Sequence, residues 1–203
     1  MSTAGEMKAL RKRVIDAFSY APLKVVNYSY DGVRINYADF KKVAIAVSKG
    51  NVRVAVGQLP VGAGAMYLVS GEQADTIVVP NSRYGSSVAE KIALAHEAVH
   101  CILDAKGVSI SALWTEVCAY ITTGILEMYA AIPAGGHGDT LTNELFAAAR
   151  KVAGLVVDQK RNDLDSSMPE IIELQATVLN HPNYRSTVSN PDFSWGEDGV
   201  KGM

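Results

Sequence analysis

Two histidines and a glutamate in His96-Glu97-Ala98-Val99-His100 stand at a spacing that can hold a metal ion and move a proton beside it. A helix turns about 100° per residue, so side chains four positions apart lie about 40° from one another, one turn up the same face. Two imidazoles so placed can share one Zn²⁺. Glu97 projects about 100° away from His96, which sets it beside the ion, where its carboxylate can take a proton from a zinc-activated water. The H-E-x-x-H pattern makes metal-assisted hydrolysis the leading reading of this stretch.

A catalytic zinc of this kind takes a third protein ligand and leaves the fourth position for water. Asp104 lies eight residues beyond His96, about 12 Å along the axis at 1.5 Å per residue, too far to share the ion; an orienting or capping role is left to it. Glu116 fits a hairpin count. From His100 the helix rises about five residues to Ala105, turns through residues 106–110, and a second helix from Ser111 descends five residues to Glu116. Equal arms of about 7.5 Å return Glu116 to the level of His100. Its surroundings are largely apolar, where a metal would relieve the cost of a buried carboxylate. The opposing reading is a solvated face, since Glu116, Tyr120, Thr123 and Glu127 share one side of that helix. Tyr120, one turn beyond Glu116, could donate its hydroxyl to a developing oxyanion. His137, among glycines, and His181, before Pro182, are further histidines within the search, each read first as an ordinary loop residue.

The elements that must position these groups follow from periodicity. The spacing predicts amphipathic helices over Ala4 to Ser19 and Ala38 to Lys49, and a hairpin from Leu23 to Tyr37 around Asp31-Gly32. Strands are expected at Val52 to Gly57, Gly64 to Ser70 and Thr76 to Pro80, forming a small sheet. Ser87, with Glu90 three residues on, reads as a capping box that starts the motif helix, which runs to about Lys106 and stops at Gly107. On it Val88, Ile92, Ala95, Val99, Ile102 and Leu103 fall on one arc with His96 at the edge, so both histidines are expected to be partly buried. Further helices are expected over Ser111 to Ala131, Asn143 to Val157 and Pro169 to Leu179. The expected class is α+β, with one domain over 1–182 and an irregular or mobile tail over 183–203.

Composition excludes some partners. The 203 residues are 48% hydrophobic, enough for a sizeable core, and 19 basic against 21 acidic residues leave a formal net charge of −2. There is no basic field for nucleic acid or an anionic membrane. No apolar run spans a bilayer and the start lacks a signal-peptide core, so the expectation is a soluble protein, cytoplasmic or exported without a signal peptide. Cys101 and Cys118, too few for a disulfide framework, are read as buried thiols in a reducing compartment, with a single bridge between neighbouring helices as the alternative.

With these residues in place, the segment from Gly64 to Tyr129 resembles the zincin metallopeptidases, specifically gluzincin-like enzymes in which H-E-x-x-H on one helix is joined by a Glu on the next. The strand-like runs Gly64 to Ser70 and Asp75 to Pro80 before the motif are similar to those of compact bacterial and phage-associated metallopeptidases of the ImmA/IrrE type. Val99 stands where that family commonly has Gly. The resemblance implies a zincin-like fold, a small mixed sheet on helices. It also implies a Zn²⁺ cofactor held by His96, His100 and Glu116, Glu97 as general base, and a peptide or protein substrate. It further implies an edge strand near Thr76 to Val79 that holds an extended peptide by strand addition. Two other functions fit the same residues: a non-proteolytic zincin-fold binding protein, and a toxin-type protease effector acting on one specific protein.

Overall fold

Thr3 and Glu6 begin the first helix by satisfying donors that a helix start leaves open: the Thr3 hydroxyl accepts from the Glu6 N–H at 3.2 Å and the Glu6 carboxylate from the Thr3 N–H at 2.7 Å. That helix is α1 (Ala4–Ala17) in the computed structural model, which describes residues 2–108, 111–131 and 140–184. In chain order there follow β1 (Asn27–Tyr30), β2 (Val33–Asn36), α2 (Tyr37–Lys49), β3 (Arg53–Val56), β4 (Met66–Leu68) and β5 (Thr76–Val79). The remaining elements are α3 (Val88–Ala105), α4 (Ala112–Tyr129), α5 (Thr140–Val157), β6 (Asp163–Leu164) and α6 (Pro169–Asn180). The architecture is α+β, with each expected helix found and its ends moved by a few residues. The expected tail at 183–203 lies outside the described residues except for 183 and 184, which belong to a helical turn over 182–184.

The described residues fall into two compact units, 2–21 with 38–108 and 22–37 with 111–131 and 140–184. In the first, the sheet order is β3-β5-β4, with β3 parallel to β5 and β4 antiparallel to it. Thr76–Val79 is therefore the central strand, which corrects the expectation of an edge. Both of its sides are paired and all four residues are buried. Thr-Ile-Val-Val lacks the in-out alternation of a half-exposed strand, as interior strands do.

Helix α3 packs against α1 and β4. It opens on the expected box: the Ser87 hydroxyl accepts from the Glu90 N–H at 3.2 Å, and the Glu90 carboxylate accepts from the N–H groups of Ser86 and Ser87, each at 2.8 Å. It ends at Gly107, whose φ of 60° suits a residue without a Cβ and whose N–H reaches the Asp104 carbonyl at 2.8 Å.

In the second unit, β1 and β2 close on Asp31 and Gly32, with φ of 46° and 84°, the left-handed pair that a tight hairpin requires. The preceding Ala21–Val25 is a 3₁₀ turn and not strand, since the Pro22 ring fixes a φ near the helical value. β6, only two residues long, adds to β1 in parallel. The Asp31 carboxylate accepts from the Trp114 indole at 3.0 Å and the Ser166 N–H at 2.9 Å, while the Tyr30 ring stacks on Trp114 at 4.7 Å. This ties the hairpin to the first turn of α4.

Helix α4 is buried nearly all round, packed by α5 and α6. At Gly124 an added Cβ would stand 2.5 Å from the Ala149 carbonyl oxygen, so the close approach of α5 needs glycine there.

Candidate metal centre

The apolar arc of α3 places the motif. Ile92, Ala95, Val99, Ile102 and Leu103 are buried, and of the expected arc only Val88, in the first turn, is exposed. His100 is 4% exposed and His96 is half-buried, their ring centroids 5.2 Å apart and their planes at 71°. The two imidazoles are thus neighbours one turn apart, as their spacing requires.

Glu97, between them in sequence, is buried, and its Oε2 accepts from the Tyr67 backbone N–H at 2.7 Å. Tyr67 is the middle residue of β4 and contacts α3 a second time through its side chain. The phenol oxygen lies 2.8 Å from Asp104 Oδ2 and 3.0 Å from Asp75 Oδ1. Burial, then the neighbouring Cys101 and Asp104, push the Tyr67 phenol well above the ordinary value, so it remains a neutral donor. Its one hydroxyl hydrogen can serve only one of the two carboxylates at a time. Tyr67 thereby fastens β4 to α3 at two points seven residues apart, one of them the expected base. Sequence reasoning missed Tyr67 because its partners lie 30 and 37 residues away. Asp104 is buried, and the contact shown for it is to the Tyr67 phenol.

Glu116 is 6% exposed, and Tyr120, Thr123 and Glu127 on the same face of α4 are buried too, so that face is not solvated. One donor atom from each of His96, His100 and Glu116 can be chosen so that all lie within 4.8 Å of one another, the metal-capable group found among the described residues. Two imidazoles and a carboxylate form the donor set of a catalytic zinc with three protein ligands. A carboxylate this buried also suits a positive partner.

Tyr120, one turn from Glu116, is 7% exposed. Its hydroxyl lies 2.7 Å from that of Tyr184, and its ring stands edge-on to Phe146 at 5.9 Å. His181 is buried and is not one of the three grouped donors: its Nδ1 accepts from the Asn183 N–H at 3.3 Å, and its Nε2 lies 3.3 Å from Thr142 Oγ1. His137 lies outside the described residues. Cys101 and Cys118 are buried thiols, both pushed up chiefly by burial. Among the described residues no helix is long and apolar enough to cross a membrane. Compared with known proteins, the chain matches no family model, no curated protein and no solved structure.

Proposed function

We propose that the chain is a zinc-dependent metallopeptidase of the zincin kind, with His96, His100 and Glu116 as ligands and Glu97 as general base. The observation that carries the proposal is the gathering of two imidazoles and a buried carboxylate within ligand distance, with Glu97 on the same helix turn as His96. Zinc, when bound, supplies a Lewis acid and lowers the pKa of the attacking water to about 7.

The rest belongs to the chain's own groups. The Tyr67 N–H holds Glu97 Oε2 and so fixes the plane of the carboxylate. Glu97 takes a proton from the attacking water and delivers it to the leaving amide nitrogen, which departs as an amine. Tyr120 offers its hydroxyl to the oxyanion that develops on the scissile carbonyl. With β5 enclosed on both sides, β4 is the end strand beside the base, and since the Tyr67 N–H is given to Glu97, the peptide is held by groups other than that N–H.

Zinc-reconstituted protein incubated with a mixed peptide library and read by mass spectrometry tests the reading. Expected is chelator-sensitive cleavage that falls by at least about 100-fold in Glu97→Gln, with zinc still bound. Cleavage undiminished by that substitution would falsify the assignment of the base. Bound zinc without any cleavage would move the chain to the non-proteolytic class.

A further inference from the structure

Tyr184 closes the helical turn over 182–184, and its N–H donates to the His181 carbonyl at 3.0 Å. The His181 ring, fixed through both nitrogens, lies 5.5 Å from the Tyr184 ring and sets its position. Tyr184 in turn meets Tyr120 with ring planes at 87° and centroids 5.9 Å apart, and the two phenol oxygens are 2.7 Å apart. Phe146 stands edge-on to Tyr120 at an equal centroid distance, 5.9 Å. Two rings and a hydroxyl therefore hold one phenol, on the face of α4 that also carries Glu116.

A pair of hydroxyls has a direction. The one that accepts becomes the better donor, because its oxygen has given up electron density to the incoming hydrogen. We propose that Tyr184 is a positioning residue that donates to Tyr120, orienting and strengthening the hydrogen bond that Tyr120 gives to the developing oxyanion. This rests on the peptidase reading and extends it to a residue that touches no substrate. The opposite direction would spend the Tyr120 hydrogen on Tyr184 and leave none for the oxyanion.

Tyr184→Phe keeps the ring and removes the hydroxyl that donates to Tyr120. Zinc-loaded wild type, Tyr120→Phe, Tyr184→Phe, the double variant and Tyr129→Phe, a half-exposed control on α4, are compared on the mixed peptide library. Expected is a kcat lower by about 100-fold in Tyr120→Phe. For Tyr184→Phe the expected loss is about tenfold with little change in KM, the order of one net hydrogen bond. The double variant is expected to be no slower than Tyr120→Phe, because Tyr184 acts only through Tyr120. A second readout needs no turnover: with tyrosine rings labelled with carbon-13, the Tyr120 Cζ resonance moves in Tyr184→Phe. Full kcat in Tyr184→Phe, additive losses, or an unmoved resonance overturns the inference. Failure of the peptidase reading is distinct, since it shows in the wild type as absence of zinc- and Glu97-dependent cleavage, and it overturns this inference as well.

Discussion

At the scale of single residues, the site depends on groups whose neighbours come from distant parts of the chain. Tyr67 carries two such links, and its hydroxyl can be removed without touching the N–H that holds Glu97. Tyr67→Phe leaves the buried Asp104 with one donor fewer, so unfolding in denaturant is expected to show a loss of about 1–3 kcal/mol. A midpoint equal to wild type would mean that the phenol contributes nothing net. The neighbouring of His96 and His100 was legible because it is local to one helix turn. The closeness of Glu116 to them was legible by counting residues along two arms of equal length. Tyr67 and Tyr184 were not, because an N–H 30 residues from its acceptor and a hydroxyl 64 residues from its partner leave no periodic trace.

At the scale of elements, the caps were the most readable feature. Ser87 and Glu90 start α3 as their spacing predicts, and the motif sits two turns further on. Partial burial pushes the Glu90 carboxyl up, and hydrogen bonds from Ser87, Ser86 and Gly85 outweigh this, so its pKa lies below the ordinary 4.5. A depressed carboxyl gives stability that is present above pH 4.5 and lost as pH falls through the lower, folded value. Glu90→Gln is accordingly expected to cost ~0.5–1 kcal/mol at neutral pH, read by thermal unfolding, with the gap from wild type narrowing in acid as the wild-type carboxyl becomes neutral too. A gap that widens in acid would contradict the sign. Strand placement was less readable. Thr76–Val79 was expected at an edge because a short apolar run does not say how many neighbours it has, and pairing settles that through β3 and β4. The 3₁₀ turn at Ala21–Val25 and the two-residue β6 are too short for any period to register.

At the scale of the whole molecule, a 48% hydrophobic chain has the material for two cores, and each compact unit has its own three-stranded mixed sheet. The chain passes from one unit to the other at 21–22, at 37–38 and again between 108 and 111, and no run of Pro, Gly or Ser marks the first two points. Composition could not announce this division, because the crossings use ordinary residues next to helices and strands. The residues proposed as metal ligands come from separate stretches, α3 and α4, so a function that needs all three would be a property of the folded chain and not of the five-residue motif. The most direct measurement is competitive zinc titration of the wild type and Glu116→Gln against a chromophoric chelator. The account predicts one zinc per chain in the wild type and an affinity lower by more than about 100-fold in the variant, beyond what loss of an outer contact costs. No stoichiometric zinc in the wild type, or undiminished affinity in Glu116→Gln, would contradict it.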